Sequence, residues 1–191
     1  MYAGQRSARS DSILWKATLT SAAKGTRIPL PKEILRQVKA RPDDCMNPSP
    51  EELAKPDAYQ KKTGGVGLIA VWSESSCYCS PTGNCAFWIF RLKDGKYSQL
   101  LRADMVREFG FVPSESSGLP DVVLWSHDSA MRFPGNLWQF DGKNYVSKCG
   151  WEIVTTYEDL PNGGVKEIGS HVEKNSCSAK LVPESEPVAV E

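Results

Sequence analysis

The chain has 191 residues, and its 23 basic and 23 acidic side chains give a formal net charge of zero. Nucleic-acid binders usually carry a basic excess or a basic stripe, and a membrane span needs roughly 18 consecutive apolar residues. The sequence has neither feature, so we expect no nucleic-acid partner and no membrane span. Because 40% of the residues are hydrophobic, the chain is apolar enough to fold around a sizeable core.

The two ends of the sequence differ from its middle. Residues 1–12 are polar, and we predict a flexible N-terminus without the apolar segment typical of a signal peptide. Residues 179–191 are rich in proline and glutamate, which predicts a disordered acidic tail. Between these ends we predict a single globular domain over residues 13–178, with a sheet core at about 66–157.

The first part of the predicted domain contains a short amphipathic helix. Pro31 suits the first turn of a helix, and the apolar residues after it share one face of a helix that runs through Lys39. Residues 57–65 are mostly polar and are predicted to form an exposed loop. The apolar run that follows, Val66–Trp72, predicts a buried strand.

Two Asp-Gly pairs predict two β-hairpins. Asp94-Gly95 and Asp141-Gly142 each lie between two segments of alternating polarity, and an Asp-Gly pair in that setting favours a type I′ turn. The strands that flank them are predicted at Ala86–Leu92 with Lys96–Arg102, and at Leu137–Phe140 with Asn144–Lys148.

The segments around these hairpins complete the predicted fold. Ala103–Phe109 is predicted as a short helix that Gly110 ends. Asp121–His127 is apolar on both faces and is predicted as a central strand, while Trp151–Tyr157 alternates and turns back through Val165–Val172. We therefore expect a β-rich α+β fold, in which an antiparallel sheet of hairpins has one or two short helices on its flank and disulfides link its parts.

The sequence has six cysteines in polar, loop-like surroundings. Cytosolic proteins rarely keep exposed thiols in such number, because these oxidise, so we predict disulfides and a periplasmic or extracellular location. The C-x-C-x₅-C spacing does not match the paired knuckles of structural zinc sites, and we expect neither a metal nor a cofactor. The disulfide candidates are Cys45, Cys77, Cys79, Cys85, Cys149 and Cys177.

The pairing of the cysteines is a further prediction. Cys79 and Cys85 are close enough in sequence to close a small loop. That choice leaves Cys77 to pair with Cys149 and Cys45 to pair with Cys177. It is one of fifteen connectivities that six cysteines allow, and the others stay open at this point.

His127, Asp128 and Ser129 contain the residue types of a catalytic triad, but consecutive residues cannot form the spatial relay that a triad requires. The sequence also has no G-x-S-x-G motif. These three residues are therefore weak catalytic candidates. The alternative interpretation is a strand that ends in a polar turn, where short side chains hydrogen-bond to local amides.

Tryptophans are interleaved with the predicted strands. Trp88, Trp125 and Trp138 would form a possible binding surface for sugars or peptides if they were exposed. Large aromatic residues on half-buried strands more often belong to the core, and that alternative stays open.

Two resemblances accompany these patterns. The segment SSGLPD before the strand VVLW resembles the start of a strand in FG-GAP propeller blades, whose upstream loop often binds calcium, but FGFVPSES lacks the D-x-D-x-D-G spacing. Over about residues 83–149 the order GNC, DGKY, SSGLPDVVLWSHDSA and WQFDGKNY with a closing cysteine resembles a group of functionally uncharacterised secreted or periplasmic bacterial proteins. That resemblance implies a compartment and a fold, and no activity.

The functional expectation is a non-catalytic secreted or periplasmic bacterial module that binds an unknown protein or cell-envelope ligand. One alternative is a small hydrolase that uses His127. The other is a purely structural protein associated with the cell envelope.

Overall fold

The computed structural model describes residues 24–38, 56–73, 75, 77–114, 118–161 and 164–177. The predicted flexible N-terminus, the acidic tail and Cys45 lie outside these residues. Within them, strands form two five-stranded antiparallel sheets, ordered β1-β2-β3-β4-β5 and β10-β9-β8-β7-β6. The first sheet contains β1 (Thr26–Ile28), β2 (Asp57–Thr63), β3 (Val66–Trp72), β4 (Cys85–Lys93) and β5 (Lys96–Val106). The second contains β6 (Glu108–Val112), β7 (Asp121–Trp125), β8 (Arg132–Phe140), β9 (Tyr145–Asp159) and β10 (Val165–Asn175).

The prediction of a β-rich, antiparallel, disulfide-linked fold is confirmed, although two sheets replace the one that was expected. A helix is present where one was predicted, but Pro31 precedes it as the N-cap residue and is not in its first turn. Helix α1 (Lys32–Leu35) begins directly after Pro31, and Pro31 O accepts hydrogen bonds from the amides of Ile34 and Leu35. It has four residues and ends before the predicted Lys39. So short a helix gives the α+β label little support.

The main core lies between the two sheets. Phe109 of β6 is fully buried, and its ring centroid lies 4.8 Å from that of Phe87, 5.6 Å from that of Tyr59 and 6.3 Å from that of Trp72. Side chains of both sheets join this shared core, among them Leu68, Ile89, Leu101, Val106, Phe111, Val122 and Leu124. The burial of this apolar surface holds the two sheets together, at roughly 25 cal/mol for each Å² removed from water.

The outer face of the first sheet has its own apolar cluster. Ile34 and Val38, in and after α1, pack against Ile69, Val71 and Phe90 of β3 and β4. The helix is thus held by its apolar side rather than by its length, since a helix of one turn is not stable alone.

The prediction of a helix over residues 103–109 is wrong. Ala103–Val106 continues β5, and after Arg107 the chain enters β6 in the other sheet. Cys85 pairs with Val106 while Phe87 pairs with Ala103, so β5 has one extra residue at this point, which is a β-bulge. Because of the bulge, the side chain of Val106 points into the shared core, while that of Met105 is half exposed.

The first Asp-Gly prediction is confirmed, and the other is wrong in detail. Asp94 and Gly95 both have positive φ, 52° and 73°, as a type I′ turn requires. In the second hairpin Phe140 pairs with Tyr145, so the loop has four residues. Asp141 Oδ1 accepts hydrogen bonds from the amides of Lys143 and Asn144, at 2.8 Å each. These bonds favour the four-residue loop over a two-residue turn.

The predicted loop at residues 57–65 is also wrong, because Asp57–Thr63 forms β2 and pairs with β3 along its whole length. Gly64 and Gly65, with φ of 55° and 81°, form the tip of this hairpin. Asp121–Trp125 is an interior strand between β6 and β8, as predicted, and Val122 and Val123 are buried on its two faces.

Met105 is a non-glycine residue with a φ of 69°. Since L side chains are disfavoured there and the Met105 side chain is 51% exposed, Met105→Gly should raise the free energy of unfolding by about 1 kcal/mol. Met131 is equally exposed at 51% but has no positive φ, so Met131→Gly is the matched control and should not stabilise the protein. Urea denaturation measures both, and equal shifts would contradict the strain at Met105.

Candidate functional site

His127, Asp128 and Ser129 lie in the turn after β7. The imidazole of His127 stacks on the ring of Phe133, with 5.1 Å between centroids and 8° between planes. The Asp128 amide donates to Arg132 O, and Ser129 Oγ accepts from the Met131 amide. Within the described part of the chain, no hydroxyl or carboxylate hydrogen-bonds to the imidazole. The three weak catalytic candidates are therefore neighbours in a turn and do not form a relay.

The backbone of His127 has a different role. Its amide donates to Asn84 Oδ1 at 2.7 Å, and its carbonyl accepts from Asn84 Nδ2 at 2.6 Å. Asn84 is only 2% exposed and immediately precedes β4. This pair of hydrogen bonds, which we call the Asn84 clasp, joins the start of β4 in the first sheet to the end of β7 in the second.

The three tryptophans proposed as a binding surface are not displayed together on the outside. Trp88 and Trp125 are 3% and 5% exposed, and Trp138 is partly buried against the shared core. Trp125 contacts the ring of Trp151 edge-on at 5.1 Å, and these two indoles close over Gly135. The three tryptophans therefore lie in or beside the hydrophobic cores, which is the alternative to an exposed binding surface that the sequence left open.

The predicted disulfide Cys79–Cys85 is present. The pairings of Cys77 with Cys149 and of Cys45 with Cys177 are wrong, because Cys149 bonds to Cys177. Asn175 pairs with Trp151 at the end of β10, and continuing that register two residues further brings Cys177 opposite Cys149. Cys77 is also disulfide-bonded. Among the described residues, no group of histidine, cysteine and acidic side chains could hold a metal ion.

The described surface has an open depression of about 720 Å³ over β8 and β9. Leu124, Asn136 and Gly150 are register partners on neighbouring strands and share one face of the second sheet. Leu124 belongs to the shared core, so the depression lies where that face changes from apolar to polar. It is lined by Pro134, Gly135, Asn136, Ser147, Lys148, Cys149, Gly150, Trp151, Glu152, Asn175 and Ser176.

One wall of the depression is fixed by local bonds. Ser176 Oγ accepts from the Gly150 amide at 2.9 Å and donates to Gly150 O at 3.1 Å. The Cys177 amide donates to Asn175 Oδ1, and the disulfide to Cys149 holds this segment beside β9. A Cβ on Gly150 would come 2.7 Å from Asn136 Oδ1, so a larger residue at this position would displace the Asn136 side chain on the floor of the depression.

The charges at the depression are largely compensated. Arg132 forms ion pairs with Glu173 at 2.5 Å and with Glu152 at 3.2 Å. These bonds, first to Glu173 and then to Glu152, raise the pKa of Arg132. The other polar side chains of the lining are neutral amides and hydroxyls, with Lys148 as the exception. Such a set could contact a ligand through hydrogen bonds, and the lining residues include no activated nucleophile.

No pattern in the sequence predicted this depression. Its residues come together through the register of β8, β9 and the segment after β10, and no short motif contains them. The available signal was glycine inside the strands, Gly135 and Gly150, because glycine in a strand often marks a close approach of another group.

Comparison with protein-family models, with curated proteins and with solved structures finds no match to this chain. Among the described residues, no helix has the length and apolar character that crossing a membrane would need.

The Asn84 clasp can be tested by Asn84→Ala. The change removes two hydrogen bonds and leaves the half-buried His127 backbone groups without their Asn84 partner, so the free energy of unfolding should fall by about 1–3 kcal/mol. Asn144→Ala is the control, since Asn144 is exposed and bonds in its loop through its backbone. Equal denaturation midpoints for the two variants would show that the clasp does not join the sheets.

Proposed function

We propose that this protein is a non-catalytic module of the periplasm or the extracellular space, and that it binds a protein or cell-envelope partner through the depression over β8 and β9. The observation that carries the proposal is the depression itself, an open site whose lining combines apolar and polar groups and whose charge is largely compensated. Its disulfide-held wall supports a binding role, because a fixed wall lowers the entropy cost of binding.

The disulfides support the proposed compartment. Such bonds persist in oxidising environments and are rare in the reducing cytosol. Cys149–Cys177 holds a wall of the depression, and Cys79–Cys85 closes the loop that carries Asn84. Both bonds thus stabilise parts on which the proposed site and the joining of the sheets depend.

The depression can be tested by filling it. Ser147 is exposed and lines it, so Ser147→Trp should block ligand access with little cost to folding. Val146, the preceding residue on the same strand, points to the opposite face and is 44% exposed, which makes Val146→Trp the matched control. The measurement is co-sedimentation, at high salt, of oxidised protein with isolated bacterial envelopes that have been separated into peptidoglycan and membrane fractions. High salt screens exposed charges, so attachment through surface lysines alone does not contribute.

We expect wild type and Val146→Trp to sediment with one of these fractions and Ser147→Trp to remain in solution. Sedimentation of both variants alike would exclude the depression as the binding site. Failure of all three proteins to bind either fraction would contradict an envelope partner.

The non-catalytic part of the proposal is tested at His127. Because the Asn84 clasp uses only the backbone of His127, His127→Gln should fold, with a loss of about 1 kcal/mol from the ring contact to Phe133. We expect neither wild type nor variant to turn over ester, peptide or glycoside substrates. Wild-type turnover that disappears in the folded variant would identify a hydrolase instead.

A further inference from the structure

Three hairpin loops meet at one end of the molecule. The β2–β3 and β4–β5 loops lie at the same end of the first sheet, because Gly67 pairs with Leu92 near both tips. The guanidinium of Arg91 lies 5.8 Å from the ring centroid of Phe140, which brings the β8–β9 loop to this end as well. Six basic residues lie here, and we call them the basic hairpin end: Lys61, Lys62, Arg91, Lys93, Lys96 and Lys143.

Four of these cations share one face of the first sheet. Lys61 pairs with Leu68, and Leu68 pairs with Arg91, so the two basic residues are in one row. Lys93 lies two residues after Arg91 and therefore points the same way. Lys93 pairs directly with Lys96, and like charges opposite each other on paired strands are destabilising. The sequence thus concentrates positive charge on this face at a cost to local stability.

The positive charge at this end is poorly compensated. None of the five lysines forms an ion pair with another described residue. The nearby carboxylates are Asp94, Asp141 and Asp121. Asp141 accepts hydrogen bonds from the amides of its own loop, first that of Asn144 and then that of Lys143, which lower its pKa and keep it negatively charged. Asp121 is buried and accepts a hydrogen bond from Gln139. Six basic residues against three carboxylates leave this end of the described structure with an excess of three positive charges, although the formal net charge of the whole chain is zero.

We propose that the basic hairpin end binds an anionic phospholipid surface. The cations come from three separate hairpins whose tips meet at one end of the molecule. Leu92 lies between Arg91 and Lys93, points to the opposite face of the sheet and is 37% exposed. An apolar side chain is therefore present at the same height along the strand as the charges, at the level of the headgroups. Lysine stems suit such an interface because their methylene groups lie along apolar surface while the ammonium groups stay in water.

A single-stranded nucleic acid is the other polyanion to consider. Such ligands bind in basic grooves where successive bases stack on exposed aromatic rings. At this end Phe140, Tyr145 and Tyr97 are buried or half buried, so they offer no stacking platform. The lipid surface therefore fits the described residues better. This inference concerns a surface other than the depression and does not depend on the function proposed above.

The experiment is flotation of the full oxidised chain with vesicles of phosphatidylglycerol and phosphatidylcholine, compared with vesicles of phosphatidylcholine alone. Each lysine near an anionic surface raises binding roughly fivefold at moderate salt. The double variant Lys93→Gln with Lys96→Gln should therefore bind about 25-fold more weakly than wild type. High salt should abolish the binding, since it screens exposed charges.

The control is Lys32→Gln with Lys166→Gln, which removes the same charge elsewhere. Lys32 follows β1, whose Ile28 pairs with Ala58 near the start of β2 and away from its tip. Lys166 pairs with Glu158 at the far end of β9. The control should bind the anionic vesicles within twofold of wild type, a difference of about 0.4 kcal/mol.

Three results would overturn the inference: equal binding to both kinds of vesicle, equal loss in the test and control variants, or binding of a single-stranded oligonucleotide without binding of vesicles. The envelope experiment gives a separate answer. Ser147→Trp leaves the basic hairpin end intact, and the Lys93/Lys96 variant leaves the depression intact, so each proposal can fail alone.

Discussion

The passage of the chain from one sheet to the other within a single residue is the constraint on which the structure depends. β5 ends at Val106 and β6 begins at Glu108, so Arg107 alone connects them. The Arg107 amide donates to Trp125 O, and Trp72 Nε1 donates to Val106 O. With the Asn84 clasp, these bonds fix the two sheets at one corner. Phe109 follows two residues later and enters the core that both sheets share.

Local patterns in the sequence predicted the elements better than their assembly. The hairpin at Asp94-Gly95 was predictable because both residues can adopt positive φ. The strand Val66–Trp72 was predictable because its apolar run is too short for a typical buried helix. The prediction of a helix over residues 103–109 was wrong because a β-bulge interrupts the alternation of inward and outward side chains by which a strand is recognised in a sequence. The partner of Cys149 was equally inaccessible, since β9 and β10 contain two register shifts before the pairing reaches Trp151.

The same difference holds for the candidate sites: residues adjacent in the sequence are easy to recognise, and residues that strand pairing brings together are not. The residue types of His127, Asp128 and Ser129 suggested catalysis. In the structure, however, the His127 backbone hydrogen-bonds to Asn84 and so connects the two sheets, and its ring packs on Phe133. The depression and the basic hairpin end, in contrast, consist of residues that only strand register brings together. Net charge calculated over the whole sequence hid the second feature, because acidic residues elsewhere balance its lysines.

The two proposed surfaces have a defined spatial relation along β8. The strand runs back from the loop at Asp141, which belongs to the end that carries the cations, to Asn136 on the floor of the depression. A rise of about 3.3 Å per residue places Asn136 roughly 17 Å from that loop. If the basic hairpin end rests on a lipid surface, the depression opens beyond the headgroups, where a soluble or wall-bound partner can reach it. Because β8 is an interior strand of a packed sheet, that spacing is rigid, so membrane attachment would set the height at which the ligand is held.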